Sequence, residues 1–233
     1  MSYILVNGCS HTVGFELEEE IGIELNQALT NEKREKVEAY RQNKAWPYLV
    51  GKKLNLDVTN IATVGASNDK IVYETIDYLE NNKSPALVIL GLSSTSRTLL
   101  SFEQNKIVFS YAHFSGIFNK MFRDTPDEEK LHSWAFCMTK YFYSEQFQNY
   151  LFHHYLSYIT TYSQFKNIPL LLAPTMNFSS DLAQFTSYSV DKTMEEVCIA
   201  NRCKRAKGHH WLSEGHEKWA TCVLDNIKKI YGN

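Results

Sequence analysis

The sequence has little of several features that would define a specialised class of protein. Its 233 residues include only 5 prolines and 10 glycines, which excludes a collagen-like or proline-rich chain. Its 5 cysteines are odd in number and scattered, so they do not resemble a disulfide framework, and we expect reduced thiols. No apolar run approaches the length needed to cross a bilayer, which predicts a protein without a membrane partner.

An excess of charge of either sign is also lacking. The 24 basic and 26 acidic side chains give a formal net charge of -2. Such a balance provides no general attraction to the phosphate backbone, so we expect no nucleic-acid partner. The first residues have neither a basic start nor a cleavage site and predict no secretory signal. Together with the reduced thiols, this predicts a cytoplasmic location.

The material that is present suits one large α/β domain spanning residues 1–233. With 44% hydrophobic residues, the chain can bury a sizeable core. Apolar runs predict parallel strands, and helical spacing of apolar residues predicts helices between them, so we expect a three-layer, flavodoxin-like parallel sheet with helices on both faces. The predicted strands are 3–6, 57–62, 86–90 and 168–173, and the predicted helices are 16–40, 46–54, 68–80, 146–166 and 213–231.

The segment 99–145 breaks the alternation of strands and helices. Its first part, 99–102 and 107–111, predicts a hairpin, and an aromatic-rich stretch without a clear period follows. Long insertions in compact domains are often functional, so we expect this one to govern substrate choice. An interface between copies in a homo-oligomer is the alternative. The aromatic residues concerned are Phe102, Phe109, Tyr111, Phe114, Phe118, Phe122 and Trp134.

The unusual residues are concentrated in four loops. In parallel α/β sheets, ligands bind beyond the carboxyl ends of the strands, where such loops converge. A serine hydroxyl becomes a good nucleophile when a nearby base accepts its proton, which draws attention to Ser10 and the His209-His210 pair. The loops are Asn7-Gly8-Cys9-Ser10-His11-Thr12, residues 63–68, residues 91–97 and Gly208-His209-His210-Trp211-Leu212-Ser213-Glu214-Gly215-His216.

Together these loops resemble the four sequence blocks of the SGNH, or GDSL-like, hydrolase family. Gly8-Cys9-Ser10-His11 is similar to the Gly-Asp-Ser-Leu block, and Gly65 corresponds to the glycine of the second block. Gly91-Leu92-Ser93-Ser94 stands where the third block has Gly-x-x-Asn, and the run from His210 to Gly215-His216 is similar to the last block. The likeness covers about 1–98 and 146–233, and the variant also resembles proteins of tailed phages, which would place it in a host cytoplasm.

The resemblance implies a serine hydrolase acting on a small-molecule or carbohydrate ester, for example an O-acetyl group, without a metal or an organic cofactor. Ser10 would be the nucleophile and His210 the general base. The amides of Ser10 and Gly65 would form an oxyanion hole. Ser94 or Asn68 would add a side-chain donor to that hole. Asn68, Arg97, His11 and His209 are candidate substrate-binding residues, and Arg97 could equally stabilise a loop.

Two departures from the family pattern leave an alternative open. Ser94 occupies the position of the third-block Asn, and Lys207 occupies the position of the Asp three residues before the histidine. We therefore expect a Ser–His dyad whose histidine is oriented by a backbone carbonyl, because the nearest upstream acids are distant in sequence. Those acids are Asp191, Glu195 and Glu196. A non-catalytic binding protein that retains the fold is the alternative.

Three other features have a simpler structural explanation. We expect His216 to pack or cap within the last helix, and the side chain of Cys9 to point away from that of Ser10. Cys198 and Cys203 with the histidine pair lack the compact spacing of a zinc site, so we predict no metal centre there.

Overall fold

The computed structural model describes residues 2–24, 29–102, 105–110, 133, 137, 144–176, 181–186 and 188–231, with backbone only at 100–102 and 105–110. Short 3-10 helices at Leu17–Ile21 and Leu182–Gln184 accompany the main elements. The main elements in chain order are β1 Tyr3–Gly8, α1 Ser10–Val13, α2 Asn31–Lys44, α3 Trp46–Leu54, β2 Asp57–Asn60, α4 Asn68–Asn81, β3 Leu87–Leu92, β4 Arg97–Phe102, β5 Asn105–Ser110, α5 Glu145–Phe165, β6 Leu170–Pro174, α6 Met194–Ala200 and α7 Ser213–Tyr231.

Four parallel strands form the central sheet, in the order β2-β1-β3-β6. Leu5 of β1 lies opposite Thr59 on one side and Val88 on the other, and Ile89 of β3 pairs with Leu171 of β6. All residues of β3 and β6 are buried, as expected of strands covered on both faces. The first strand therefore lies inside the sheet and delivers the following loop to the middle of its carboxyl edge.

Helices cover both faces of the sheet and form two hydrophobic cores. On one face, Trp46 of α3 and Trp219 of α7 are fully buried against alternate residues of β1 and β3. On the other face, Ile71 of α4 and Leu156 of α5 pack against the residues of opposite parity. The arrangement is the predicted three-layer α/β fold.

Most predicted elements are confirmed, but the helix expected over 16–40 is wrong. In its place, a 3-10 helix ends at Gly22, whose φ of 73° is left-handed, and α2 begins only after its N-cap Thr30. Glu16 also has a left-handed backbone, with φ 71°. Residues in this conformation cannot continue a right-handed helix, and a run rich in Glu and Leu does not reveal them.

The predicted hairpin is present as β4 and β5, which pair antiparallel from Arg97–Ser110 to Phe102–Asn105. The side chains of Phe102 and Phe109 are not described, and Tyr111, Phe114, Phe118, Phe122 and Trp134 lie outside the described residues. The role of this segment in substrate choice stays a prediction. In the described part of the chain, no helix combines the length and apolarity needed to cross a membrane.

Candidate active site

Ser10 lies directly beyond the carboxyl end of β1, as the first residue of the four-residue helix α1. Cys9 precedes it with an extended backbone, and Gly14 ends the turn in the left-handed conformation at φ 77°. The Thr12 side chain packs directly against Gly8 of β1 and Gly91 of β3. A Cβ at either glycine would overlap it. The close approach fixes the position of Ser10 relative to the central strands.

His210 reaches Ser10 across the sheet edge from the loop before α7. Its Nε2 lies 2.8 Å from Ser10 Oγ, a distance typical of a hydrogen bond. Ser10 is 4% exposed, and the His210 side chain is 19% exposed. The structure thus brings together the two residues that the sequence singled out.

A carboxylate completes this contact, and it is one that the sequence analysis missed. Glu16 Oε2 lies 2.8 Å from His210 Nδ1 and also accepts the backbone N–H of His210 at 3.2 Å. The predicted backbone carbonyl is therefore wrong. An ionised carboxylate only accepts hydrogen bonds, so this contact favours the tautomer with the proton on Nδ1, in which the Nε2 lone pair faces the Ser10 hydroxyl.

Room for the Glu16 carboxylate depends on Gly208. A Cβ at this position would overlap the carboxyl group of Glu16. The absence of a side chain at Gly208 lets the acid approach the histidine loop from a segment 194 positions earlier in the chain. A local motif search cannot find such a partner.

The segment 16–24, which contains Glu16 and is rich in acids, also contacts residues on both sides of His210, at Lys207 and Ser213. Glu19 accepts the backbone N–H of Lys207 at 3.2 Å, and Glu20 accepts both the N–H and the hydroxyl of Ser213. The ammonium of Lys207 pairs with Glu24 at 2.9 Å, which raises the pKa of Lys207. Lys207 therefore faces acids of this segment instead of opposing the imidazole.

Two of the three upstream acids considered from the sequence have other partners. Glu195 pairs with Arg205 at 3.2 Å, and Glu196 forms a capping box with Thr193 at the start of α6. Neither is the carboxylate on the His210 ring. For these residues, the expectation that they do not orient His210 agrees with the structure.

Two backbone amides, in the loops after β1 and β2, have no protein acceptor within the described part of the chain. Thr63 N–H donates to the Gly8 carbonyl at 3.1 Å, which ties the loop after β2 to the end of β1. Gly65 on this loop has φ 77°, and the space beside its Cα is open. Among the described residues, neither the Gly65 nor the Ser10 amide donates to another protein group. Such amides are what an oxyanion hole requires.

Asn68 is occupied with the backbone of the third loop. Its Oδ1 accepts the Ser93 N–H at 2.8 Å, and its Nδ2 donates to the carbonyls of Ser93 and Ser94 at 2.9 and 3.5 Å. Asn68 is 3% exposed, and these bonds join the loops after β2 and β3; its contact with substrate stays a prediction. The hydroxyl of Ser94 contacts that of Ser96 at 2.8 Å.

Arg97 extends from the start of β4 to the same loops. Its Nη1 donates to Ser93 Oγ at 2.9 Å and lies 3.5 Å from the Ala66 carbonyl. No carboxylate pairs with it among the described residues. The guanidinium thus lies between the loops after β2 and β3, where either role expected for it is feasible.

The other two candidate histidines differ in their environment. The ring of His11 lies 4.8 Å from that of His210, and its Nδ1 is buried without a hydrogen-bond partner. Burial, and next the charge of His210, lower the pKa of His11 well below its usual value. His209 is exposed, with a left-handed backbone at φ 75°. His11 therefore lies against the His210 ring, whereas His209 extends towards solvent.

His216 has the predicted structural role. It is 1% exposed, and its Nδ1 accepts the backbone N–H of Trp46 at 3.2 Å, which joins α7 to α3. Burial, followed by the charge of His210, lowers the pKa of His216 to about 3. Cys9 is fully buried among apolar side chains, with its Sγ 3.4 Å from Thr175 Oγ1. Within the described residues, no group of three or more His, Cys, Asp or Glu is arranged to hold a metal ion.

Solved structures share this fold at very low sequence identity. An esterase, EstA from Pseudoalteromonas sp., matches with a TM-score of 0.51 and 13% identity over 100% of both chains. A protein assigned to the G-D-S-L lipolytic family, from Desulfitobacterium hafniense DCB-2, matches with a TM-score of 0.53 and 10% identity over 97% of this chain and 99% of that one. LAE5, an α/β hydrolase from the metagenome of Lake Arreo, Spain, matches with a TM-score of 0.52 and 13% identity over 97% and 94%.

No protein-family model matches the sequence, and no curated protein sequence does either. At these identities the structural matches establish the fold alone. The chain has the fold of the SGNH hydrolases, a parallel sheet flanked by helices.

Proposed function

We propose that the protein is a serine hydrolase that cleaves carboxylic esters through Ser10, His210 and Glu16. One observation carries the proposal: Ser10 Oγ, both ring nitrogens of His210 and Glu16 Oε2 form a continuous chain with two contacts of 2.8 Å. This is the arrangement that activates a serine hydroxyl. A binding protein that has lost its chemistry has no need to hold these groups in line.

The proposed reaction follows from the positions of these groups. Ser10 Oγ attacks the acyl carbon while His210 Nε2 accepts its proton, and Glu16 stabilises the imidazolium. The amides of Ser10 and Gly65 stabilise the oxyanion. His210 then protonates the departing alkoxide and leaves an acyl group on Ser10. Water then attacks the acyl carbon while His210 Nε2 accepts one of its protons. The bond to Ser10 Oγ breaks as His210 returns that proton to it, and the carboxylic acid leaves and releases its own proton to solvent.

The proposal also covers the class of substrate, the residues that lie near it and the location of the protein. We infer a small or carbohydrate ester, with an O-acetyl group as the first candidate, and Arg97, His11 and His209 as groups near it. His11 contributes a neutral ring beside His210, consistent with its lowered pKa. The cytoplasmic location and the likeness to tailed-phage proteins stay predictions.

Hydrolysis of p-nitrophenyl acetate by purified variants tests the proposal. Wild type should turn over the ester, and Ser10→Ala and His210→Ala should each lose at least about a hundredfold in kcat, because both remove the activated nucleophile. His209→Ala is the comparison for the general base, since it changes the adjacent histidine, and it should lose far less kcat than His210→Ala. Equal turnover by wild type and Ser10→Ala would contradict the proposal, as would an inactive His209→Ala beside a fully active His210→Ala.

A further inference from the structure

A buried ion pair lies next to Glu16, the proposed orienting acid, and involves Glu18, two residues further along the chain. Arg41 of α2 donates from Nε and Nη2 to the two carboxylate oxygens of Glu18, at 3.1 and 2.9 Å. The Glu18 side chain is 0% exposed and that of Arg41 is 15% exposed. Paired charges so far from water are strongly constrained, because removing one partner leaves the other without compensation.

This pair holds the backbone of Glu16 in an unfavourable conformation. Glu18 Oε1 accepts the Glu16 N–H at 3.2 Å, while Glu16 itself has φ 71°. A left-handed backbone at a residue other than glycine is unfavourable and persists only when its surroundings impose it. Here the unfavourable backbone allows the Glu16 side chain to reach His210, and Glu18 supplies the contact that maintains it.

Arg41 is also linked to His210 through a second residue, Phe15. Its guanidinium lies over the ring of Phe15, 5.8 Å from the centroid. Phe15 in turn meets the His210 ring edge-on at 5.2 Å. One arginine is therefore linked to the acid through Glu18 and to the imidazole through Phe15, and it contacts neither directly.

We propose that Arg41 is a positioning residue of the proposed active site. It acts through Glu18 and Phe15 to keep the Glu16 carboxylate within hydrogen-bond distance of the His210 ring. The inference rests on the proposed function for its kinetic consequence. It explains how an acid from the N-terminal segment replaces the one that the family pattern would place three residues before the histidine. The planar, bidentate guanidinium suits this role, and a lysine cannot reproduce it.

The kinetic test is a double-mutant cycle on p-nitrophenyl acetate. Arg41→Ala should lower kcat by about tenfold to a hundredfold with KM nearly unchanged, the loss expected from a small misplacement of a catalytic group. In a Glu16→Ala background the same change should cost several-fold less, because the acid is gone and only the link to His210 through Phe15 remains to be lost. Equal fractional losses in both backgrounds would overturn the proposal.

Two variants guard against a simple loss of folding. Arg41→Lys keeps the charge and should lie between wild type and Arg41→Ala in kcat. Lys36→Ala removes the cation of an exposed pair with Glu32 on the same helix and should leave kcat unchanged. If Arg41→Ala does not fold, Arg41→Lys replaces it in the double-mutant cycle with Glu16→Ala. A kcat of Arg41→Lys equal to that of wild type would then overturn the proposal.

A spectroscopic measurement separates this inference from the proposed function. The proton between His210 Nδ1 and Glu16 should give a low-field signal in the ¹H NMR spectrum, absent from Glu16→Ala. We expect it to persist in Ser10→Ala and to be lost or weakened in Arg41→Ala and Arg41→Lys. An inactive wild type that shows this pattern would refute the hydrolase and support Arg41 as a positioning residue. A signal that is unchanged in both Arg41 variants would refute the role of Arg41.

Discussion

At the scale of single residues, Glu16 changes the account of the site most. A dyad assisted by a backbone carbonyl would place no full negative charge beside the imidazolium, whereas Glu16 Oε2 lies 2.8 Å from His210 Nδ1. Losing the orienting acid of such a triad can cost about four orders of magnitude in rate. Under the proposed function, we therefore predict faster turnover than a dyad without this acid would give.

We predict that Glu16→Ala lowers kcat on activated esters by at least about a hundredfold, because the imidazole loses both its fixed tautomer and its counter-charge. Glu24→Ala is the matched control, since it removes an acid of the same segment that pairs with Lys207. Steady-state kinetics of the two variants checks the prediction. If Glu16→Ala keeps the activity of wild type, the contact has no catalytic consequence.

Ser10 and His210 were predictable because each belongs to a recognisable block, whereas Glu16 was not. Its carboxylate approaches from the N-terminal segment, and the signal that could have revealed it is weak. Gly14 and Gly22 bracket a run that contains Glu16, Glu18, Glu19 and Glu20. Glycines at both ends of an acidic run argue against the continuous, solvated helix that was expected, and for a loop whose acids have partners.

At the scale of elements, the turn that carries Ser10 depends on its close packing against β3. Gly91→Ala should push the Thr12 side chain and with it α1, because a Cβ at 91 would overlap Thr12 Oγ1. We expect a lower Tm and reduced kcat. Thermal unfolding and ester hydrolysis measure the two effects.

The same contact offers a rescue experiment. Thr12→Ala removes the hydroxyl that the new Cβ would meet, so adding it to Gly91→Ala should restore much of the lost Tm and activity. Additive losses in the double variant would show that α1 and β3 do not approach each other as described.

Two elements that were predicted correctly carry a clear apolar pattern over most of their length. The run Leu87–Leu92 is buried on both faces, and Ser213–Tyr231 buries Trp219, Val223 and Ile227 along one stripe. The failed helix over 16–40 has no such stripe, since Val37 is the one buried residue of α2. Composition alone favoured a helix there, and tertiary contacts decided otherwise.

At the scale of the whole molecule, buried neutral histidines make stability depend on pH. Burial lowers the pKa of His216 from 6.5 to about 3, and it lowers that of His11 well below 6.5. At a pH below 6.5 but above the lowered pKa of each histidine, that histidine is protonated in the unfolded chain and neutral in the folded protein. The free energy of unfolding should therefore fall as the pH drops from about 6.5 towards 3, by up to about 1.4 kcal/mol per pH unit for each such histidine.

Denaturant unfolding between pH 4 and 7 measures this dependence. His216→Asn places an amide oxygen near the position of Nδ1 as an acceptor for the Trp46 N–H but cannot be protonated, so its stability should fall less steeply with decreasing pH than that of wild type. Parallel curves for the two proteins would mean that His216 is not the buried, neutral acceptor described.

The central claim is that this fold presents one activated serine, and covalent labelling of the intact protein tests it most directly. A fluorophosphonate probe transfers its phosphonyl group to an activated serine hydroxyl with loss of fluoride. We predict that mass spectrometry finds one label, on Ser10, in wild type. Ser10→Ala should take up none, and His210→Ala at least about a hundredfold less in the same time. An unlabelled Ser10 in folded wild type, or equal labelling of His210→Ala, would contradict the account.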